Sequence, residues 1–307
     1  MILGGQVHGE VMMDFNLLGF DKEFLSKISK ELDLVVKSGF WSGGQNVRKI
    51  EEKFSSAYCM GSVACSSGGM ALELVSNAYP NIRKIAFQSN TYFASILPWL
   101  NKKKEIVLIG SSKNSLTPSL EYVKESIQLG VEAILLTHIG GYPIPDIKEI
   151  YKFCSANNIL LIEDCAHSPF TKIDDVYVGT FGDASIFSFF PTKPIPAGEG
   201  GMALFKNKDI SHKVSIIRDY GKVNKNNKIL HTLPAVSNGR LNEFSASIVS
   251  TFLDNYKVIK NKRKEIACIY DELIPHQLIY QKDLKNKQEL SYYKYITFVK
   301  GNKYSVS

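Results

Sequence analysis

Cysteine is scarce in this sequence, and its spacing does not match the common cysteine-based metal sites. The 307 residues include five cysteines, and no two of them have the CxxC spacing that binds zinc. Their number is odd, and a chain of this size needs no covalent staples, so they predict reduced thiols in a cytoplasmic protein. We expect no metal centre. The five residues are Cys59, Cys65, Cys154, Cys165 and Cys268.

Long apolar stretches are missing as well. No run is long enough to cross a bilayer, and the start, MILGGQVHGE, lacks the basic residues and apolar run of a signal peptide. Internal repeats and low-complexity segments are not found either. We therefore expect a globular protein without membrane attachment, large enough for one α/β domain and a smaller piece.

Positive charge exceeds negative charge, but it is spread along the chain. There are 37 Lys and Arg residues against 30 Asp and Glu residues, which gives a net charge of +7. The one dense cluster is Lys260, Lys262, Arg263 and Lys264. Both a nucleic-acid site and a solvated helix face produce such a cluster, and the spread of the other basic residues favours the helix face. We expect no nucleic-acid partner.

Short apolar runs, each followed by a turn and a helical pattern, make up most of the chain. Runs that are apolar on both faces are typical of central strands in a parallel sheet covered by helices. A further run, Gly201–Phe205, follows a glycine turn and is expected to return antiparallel. The pattern predicts a doubly wound α/β domain up to about residue 250. The six main runs are Ser62–Cys65, Lys84–Gln88, Glu105–Ile109, Ala133–Thr137, Ile159–Ile162 and Ser185–Phe189.

Helical patterns lie on both sides of these runs. Residues 22–37 and 47–58 have apolar residues at helical spacing, and Asn46 is the expected N-cap of the second helix. A longer helical pattern covers Leu241 to about Leu273. After it, Tyr292–Val299 has the pattern of a strand that enters a second domain.

Acidic residues follow one of the most apolar runs. Ligands bind at the carboxyl ends of strands in open α/β sheets, and Glu163, Asp164 and His167 come directly after residues 159–162. A carboxylate at such a position is costly unless a cation meets it. Taken alone, Asp164 fits two roles. It either caps a helix or pairs with a lysine, or it holds a protonated pyridine nitrogen.

Lys193 lies in a proline-rich turn beyond another strand, between Pro191 and Pro194. Lysine is usually a surface residue. In a rigid loop at a strand end, desolvation lowers its pKa and makes the amine available to form a Schiff base. The segment taken alone is equally compatible with an exposed loop lysine.

Three further segments give weaker candidates. Ser66–Gly69 ends a strand before a helical pattern that starts at Met70, so backbone amides there suit a phosphate, although glycine turns are common. Tyr92, with Phe93 beside it, follows a strand and either stacks on a flat ring or packs in the core. His138 precedes a Gly-Gly turn, which such a histidine most often hydrogen-bonds.

These segments together contain the groups that pyridoxal 5′-phosphate (PLP) requires. The cofactor needs a Schiff-base lysine, an acidic partner for its ring nitrogen, a phosphate site and a stacking ring. All the candidates lie at expected strand ends. Their joint placement, rather than any one residue, predicts a PLP enzyme.

The order of the motifs is specific. From about Ser38 to Leu273 the chain contains FWSGGQNVRKIEEKF, NTYFAS, THIGGYP, LIEDCAHS, VGTFGDASIFSFFPTK, GEGGM, IRDYG and NGRLNEFSA. With these motifs it resembles the DegT-type nucleotide-sugar aminotransferase family of PLP enzymes, which have fold type I, like aspartate aminotransferase. The resemblance implies a three-layer α/β PLP-dependent transferase fold with a mostly parallel central sheet. It also implies a large PLP-binding domain at 1–255 and a truncated remnant of a small C-terminal domain at 256–307.

The resemblance assigns a role to each candidate. Lys193 would hold PLP as a Schiff base, Asp164 would bind the pyridine nitrogen, and His167 would contact the hydroxyl side of the ring. Tyr92 would stack on that ring. An asparagine from the neighbouring subunit would complete the phosphate site, so a homodimer with a shared active site is expected. The residues implied to hold the phosphate are Ser188, the backbone amides of Gly69 and Met70, and Asn238.

The implied reaction moves an amino group from glutamate to a keto group of a nucleotide-linked sugar, as in the biosynthesis of amino sugars for polysaccharides. The net basic charge suits a diphosphate ligand. Two alternatives stay open. One is a PLP-dependent sugar dehydratase, although dehydrating relatives carry histidine at the position of Lys193. The other is a catalytically degenerate homologue or partner subunit.

The chain departs from the family pattern at three places. The family has SGT where this chain has Gly69 as the third residue, so one hydroxyl ligand for the phosphate is missing. Gly239 stands where the family tends to carry an aromatic residue. The sequence also stops soon after the expected strand Tyr293–Val299, which should affect substrate binding and turnover more than cofactor binding.

Overall fold

Short strands alternate with helices in the computed structural model, which describes residues 5–7, 10–12, 20–111, 115–226, 228–231, 238–280 and 288–298. The helices are α1 (Lys22–Ser38), α2 (Gln45–Tyr58), α3 (Gly68–Ala78), α4 (Leu97–Asn101), α5 (Leu120–Gln128), α6 (Ile147–Ala156), α7 (Lys208–Ile217) and α8 (Glu243–Leu273). The strands are β1 (Gly5–Val7), β2 (Glu10–Met12), β3 (Gly61–Cys65), β4 (Lys84–Gln88), β5 (Glu105–Ile109), β6 (Ala133–Thr137), β7 (Leu160–Asp164), β8 (Lys172–Ile173), β9 (Val176–Tyr177), β10 (Ala184–Ser188), β11 (Gly201–Phe205), β12 (Lys222–Lys225), β13 (Lys228–His231) and β14 (Gln288–Glu289).

Seven strands form one central sheet in the order β3-β11-β10-β7-β6-β4-β5. Strands β10, β7, β6, β4 and β5 are parallel to one another. Strand β11 is antiparallel to β10 and to β3, so β3 runs in the same direction as the parallel strands. The predicted fold class is confirmed. Each of the six apolar runs became a strand with ends shifted by two residues at most, and Gly201–Phe205 returns antiparallel as expected.

Helices cover both faces of the sheet and give the molecule three layers. On one face α1, α2 and α8 pack against β3, β10 and β11, with buried Phe54, Phe187 and Phe252 between them. On the opposite face α3, α4 and α7 pack around buried Leu74 and Trp99. Burial of apolar area on this scale is the main favourable term for the fold. The continuous apolar character of the strands follows from their being covered on both sides.

The predicted N-cap of the second helix is wrong. Gly44, not Asn46, precedes the first helical residue of α2, and it makes no side-chain cap. A carboxylate from α8 caps the helix instead, because the Asn46 and Val47 N–H groups donate to Glu243 oxygens at 2.8 and 3.2 Å. A side chain at Gly44 would lie 2.7 Å from the carboxyl carbon of Glu243. The sequence could not show this cap because its two halves are far apart along the chain.

The end of the described chain also differs from expectation. Over 292–298 there is no strand, and the single bridge there joins Thr297 to Ile279. Pairing with the rest of the molecule occurs earlier, where β14 is antiparallel to β8. Val299 lies outside the described residues. Helix α8 is continuous across residue 255, and the expected division into domains at that residue stays a prediction.

The basic cluster on α8 is only partly solvated. Lys262 is exposed, but burial lowers the pKa of Arg263, and one Arg263 nitrogen has no hydrogen-bond partner among the residues that the structure describes. Lys260 is also largely covered, with 14% of its side chain exposed. The prediction of a fully solvated helix face is therefore wrong for these two residues. Within the described ranges, no helix is both long enough and apolar enough to cross a membrane.

Candidate active site

The candidate residues gather at one edge of the sheet because the strands that carry them end there together. Asp164 is the last residue of β7, and Ser188 is the last residue of β10. In register, Asp164 lies opposite Ile186 of β10 and Thr137 of β6, so it occupies a central position at this edge. Lys193 and His167 follow in the loops after β10 and β7.

Asp164 is buried, and the hydrogen bonds that its carboxylate accepts do not use all of its lone pairs. One carboxylate oxygen accepts a 2.9 Å hydrogen bond from the Ser95 hydroxyl, and the other accepts a 3.0 Å bond from the Ala166 N–H. Burial raises the pKa of Asp164, while these hydrogen bonds and the charge of Lys193 oppose the rise. Because each oxygen keeps a free lone pair, the carboxylate is able to accept a further N–H from a cation.

Lys193 is partly buried and faces the same region. Its backbone N–H donates to the Phe190 carbonyl at 2.9 Å, which closes the turn. Burial lowers the pKa of Lys193; the Asp164 carboxylate opposes this effect and nearby Lys294 adds to it. A lowered pKa increases the fraction of neutral amine, which is the nucleophilic form.

His167 is neutral and has a defined tautomer. Its Nδ1 accepts a 3.1 Å hydrogen bond from the Gly140 N–H, so the ring proton is on Nε2. Burial, together with the positive charges of Lys193 and Lys294, lowers the pKa of His167 to about 3. His167 therefore offers an N–H donor without a positive charge.

The aromatic ring beside these groups belongs to Tyr293. Its centroid is 4.7 Å from that of His167 and 5.2 Å from the Lys193 ammonium nitrogen. Its hydroxyl is 3.2 Å from that of Thr192, the residue before the lysine. A ring face beside an ammonium group attracts it, so Tyr293 helps to fix the position of the Lys193 amine.

Glu163 and His138 form a further pair of buried side chains near this edge of the sheet. One Glu163 oxygen accepts from the Gly182 N–H at 2.6 Å, and the other accepts from the Gly179 N–H at 2.8 Å and lies 3.0 Å from His138 Nε2. His138 Nδ1 accepts from the Ile144 N–H at 3.1 Å, so Nε2 carries the proton and donates to Glu163. His138 thus holds the turn, as its position predicted, and anchors it to β7 as well.

The first turn of α3 lies where the sequence predicts an anion site. Ser67 is its N-cap, and its hydroxyl accepts from the Met70 N–H at 3.0 Å. Of the two amides expected to hold phosphate, that of Met70 therefore already has a partner, whereas Gly69 is exposed. Ser188 lies against this turn, since a side chain at Gly68 would come within 2.8 Å of its Cβ. The turn and the end of β10 thus form one cradle.

Two expected residues lie further out. Tyr92 follows β4 and is 77% exposed, so its ring is open to solvent and available for stacking. Asn238 is exposed and forms a bridge with Asp219. The next residue, Gly239, accepts from the Ser66 N–H at 3.0 Å, which places Asn238 close to the α3 turn of its own chain. The roles of Tyr92 and Asn238 stay predictions.

Sequence reasoning missed Ser95 and Tyr293. Ser95 lies in the single turn after Tyr92, and nothing in NTYFAS marks its hydroxyl as the partner of Asp164. Tyr293 reaches Lys193 from the far end of the described chain, where several tyrosines occur together. No local signal separates it from its neighbours, because its position depends on how residues 290–298 pack.

The described residues fit PLP. A lysine with a lowered pKa, a buried carboxylate with free lone pairs and a helix N-terminus beside a serine lie at the same edge of the sheet. These match an aldehyde, a protonated ring nitrogen and a phosphate. A side chain at Gly201 would come within 2.4 Å of the Ser67 carbonyl oxygen. A glycine at this position of β11 therefore allows the first turn of α3 to approach the sheet closely.

Comparison with known proteins agrees with this chemistry. The model of the DegT/DnrJ/EryC1/StrS aminotransferase family matches residues 23–306. The chain is 28% identical over 272 residues to dTDP-3-amino-3,6-dideoxy-alpha-D-galactopyranose transaminase of Aneurinibacillus thermoaerophilus, covering 86% of this chain and 73% of that protein. It is 32% identical over 246 residues to GDP-perosamine synthase of Vibrio cholerae, covering 78% and 66% respectively.

Solved structures share the fold. Helicobacter pylori PseC, an aminotransferase involved in the biosynthesis of pseudoaminic acid, aligns with a TM-score of 0.82 over 90% of this chain and 75% of that one. The aminotransferase TlmJ of Streptoalloteichus hindustanus also aligns with a TM-score of 0.82, over 90% and 76%. Both are 22% identical in sequence, so they establish the fold alone.

Proposed function

This chain belongs to the DegT/DnrJ/EryC1/StrS aminotransferase family of PLP-dependent enzymes, and we propose that it moves an amino group from glutamate to a keto group of a nucleotide-linked sugar. The observation that carries the proposal is the pair formed by Lys193 and Asp164 at the edge of the sheet. The names of the relatives, which include transaminases of dTDP- and UDP-linked sugars, support the class of substrate.

The proposed roles follow from the protonation states. Bound PLP supplies a ring that accepts electrons from the carbon being deprotonated. Asp164, as a carboxylate, keeps the ring nitrogen protonated. Lys193 holds the cofactor and, once its amine is released, carries a proton between the donor carbon and the cofactor carbon. Its lowered pKa suits it to accept that proton.

The remaining residues bind and orient. His167 donates its Nε2–H to the hydroxyl side of the ring, and its neutrality avoids repulsion with Lys193. The Ser188 hydroxyl and the backbone amides of Gly69 and Met70 hold the phosphate, and for this the Met70 amide exchanges its bond to the Ser67 hydroxyl for one to the phosphate. Tyr92 covers one face of the ring.

We also propose that the large PLP-binding domain consists of residues 1–255 and that residues 256–307 belong to the small domain.

We further propose a homodimer in which Asn238 contacts the phosphate in the neighbouring subunit. Support comes from large aromatic side chains that are exposed in the described part of the chain, because a second subunit would cover such surface. Tyr92, Phe93 and Trp41 are 77%, 58% and 54% exposed. The cytoplasm is the proposed location, which the five unpaired cysteines suit.

The test is a complete reaction. PLP-loaded protein is incubated with glutamate and nucleoside-diphosphate 4-keto sugars, and both products are measured by mass spectrometry. We expect 2-oxoglutarate and an amino sugar nucleotide in equal amounts, and neither with Lys193→Ala. A deoxy product without nitrogen would indicate a dehydratase. Bound cofactor without release of the corresponding keto acid from glutamate or any other amino donor would indicate a non-catalytic homologue. Either result would contradict the proposal.

A further inference from the structure

A cavity lies between α8 and the β8–β9 hairpin, apart from the residues assigned to the reaction. Its volume is about 420 Å³, within the range of small-molecule sites. We call it the lysine pocket, because three lysines and one carboxylate line it. Its lining residues are Phe170, Tyr177, Tyr256, Lys257, Lys260, Asn261, Lys264, Gln288, Glu289 and Tyr292.

The lysines share one face of a helix. Lys257, Lys260 and Lys264 are three and four positions apart on α8, which is the spacing of neighbours along a helix surface. A fourth ammonium group, that of Lys172 on β8, is close enough to Lys260 to disfavour its charge. Like charges at this spacing destabilise the helix, so the arrangement has a free-energy cost unless an anion offsets it.

The described residues supply too little negative charge. Glu289 contacts two of the lysines, Lys172 at 3.6 Å and Lys260 more closely. Within the described part of the chain, neither Lys257 nor Lys264 has a carboxylate within ion-pair distance. Lys260 is also mostly covered, and burial together with its lysine neighbours lowers its pKa. Among the described residues, the side chains that line the pocket therefore carry an excess of positive charge.

The rest of the lining suits a ring and a donor. The aromatic lining residues of the pocket, which we call the aromatic floor, are Phe170, Tyr177, Tyr256 and Tyr292. The Tyr256 hydroxyl is held in place because it donates to the Pro169 carbonyl at 2.8 Å. Gln288 Oε1 is buried and has no hydrogen-bond partner among the described residues. A buried acceptor without a donor costs free energy that a ligand N–H or O–H would recover. Bare inorganic anions lack the ring surface that matches this floor.

We propose that the lysine pocket binds a nucleoside phosphate, with its phosphates on Lys257, Lys260 and Lys264 and its base against the aromatic floor. A sugar hydroxyl or base N–H then donates to Gln288. The inference does not depend on the proposed amino transfer, because none of the residues assigned to that reaction lines the pocket. The sequence-based interpretation of Lys260, Lys262, Arg263 and Lys264 as a solvated helix face did not include such a site.

The test measures the reactivity of each lysine separately. PLP-loaded protein is acetylated briefly with and without UDP or ADP, and the modified peptides are quantified by mass spectrometry. We expect either nucleotide to slow acetylation of Lys257 and Lys264 about tenfold, as one charge-assisted contact would do. Lys262, which is 63% exposed and pairs with Asp21, should be unaffected. Because each peptide is read separately, nucleotide bound near Lys193 does not interfere.

Variants and matched ligands complete the test. Lys257→Gln with Lys264→Gln should weaken nucleotide binding at the remaining Lys260 at least tenfold, whereas Lys262→Gln with Lys213→Gln, which removes the same charge elsewhere, should not. Uridine and adenosine lack phosphate and should not protect. The proposal would be overturned by no protection from either nucleotide, by equal protection from the nucleosides or inorganic phosphate, or by protection from RNA alone.

Discussion

At the scale of single residues, burial and neighbouring charge determine what Asp164, Lys193 and His167 are able to do. Burial raises the pKa of Asp164 and lowers the pKa of Lys193, and the two groups partly offset each other. His167 lies beside Lys193 and stays neutral because burial disfavours its charge. The edge therefore combines a carboxylate, a reactive amine and a neutral donor.

Asp164→Asn should separate cofactor attachment from turnover. The amide keeps the size of the side chain but no longer stabilises a protonated ring nitrogen, so we expect kcat to fall roughly 100-fold or more while Lys193 still takes up PLP. Steady-state kinetics and the absorbance of the bound cofactor check both parts. Asp183→Asn is the matched control, because Asp183 accepts from the Leu161 N–H at the opposite end of the strands. Equal losses in both variants would contradict the assigned role.

His167 should make stability depend on pH. Its pKa is 6.5 when unfolded and about 3 when folded, so between these values the unfolded state binds more protons. Stability from this residue is present above about pH 6.5 and is lost as the pH falls towards 3, at up to about 1.4 kcal/mol per pH unit. Urea unfolding across this range should show a shallower slope for His167→Gln. An unchanged slope would show that His167 is not buried as described.

At the scale of elements, the sequence predicts the strands well because their pattern is local. Ala133–Thr137 and Gly201–Phe205 are continuous apolar runs bounded by turns, and both became strands at the expected residues. Lys193 and Asp164 became candidates for the same reason, since Asp164 lies at the carboxyl end of β7 and Lys193 lies in the loop after β10. The cap of α2 by Glu243 was not predictable, because it depends on a contact between distant segments.

At the candidate active site, the placement of residues 290–298 also depends on a contact between distant segments, which the sequence pattern does not reveal. They pack against the Gly140–Gly141 turn, where the Ser291 hydroxyl donates to the His167 carbonyl at 2.7 Å and the Lys294 N–H donates to Gly140 at 3.0 Å. This packing brings Tyr293 to Lys193. The sequence pattern predicted a strand here, because alternation alone does not reveal that the partner is a turn.

Gly141→Ala should therefore loosen this segment. Gly141 has a φ of +93°, and an added Cβ would lie 2.2 Å from the Ser291 hydroxyl and 2.9 Å from the His167 carbonyl oxygen. Gly130→Ala is the control, because Gly130 has a φ of +78° but open space around it. We expect Gly130→Ala to cost about 1 kcal/mol and Gly141→Ala at least about 2 kcal/mol more, by urea unfolding. Equal costs would mean that residues 290–298 are not packed on the turn.

At the scale of the whole molecule, the sheet brings the candidate residues together, and the proposed dimer would complete the site. Residues on four strand ends converge because β3, β10, β7 and β6 run in one direction. Asn238 is exposed beside this edge, and so are large aromatic side chains. If the site is shared between subunits, mixed dimers should behave differently from dimers whose sites are each built from one subunit.

Mixed dimers of Lys193→Ala and Asn238→Ala subunits should regain activity. If Asn238 acts in the neighbouring subunit, each such dimer contains one intact site, so about half of wild-type activity is expected. The dimers are isolated by two different affinity tags and assayed with glutamate and a keto sugar nucleotide. Dimers of either variant alone are the controls. Activity no higher than in those controls would place Asn238 in its own subunit's site or in none.

The central claim is that Lys193 holds the cofactor, and chemical trapping tests it most directly. PLP-loaded protein is reduced with borohydride, digested and analysed by mass spectrometry. Reduction makes a Schiff base permanent, so we predict one phosphopyridoxyl group per chain, on the peptide containing Lys193, and none there in Lys193→Ala. A label on another lysine, such as Lys294, or no label in protein that binds PLP, would contradict the account.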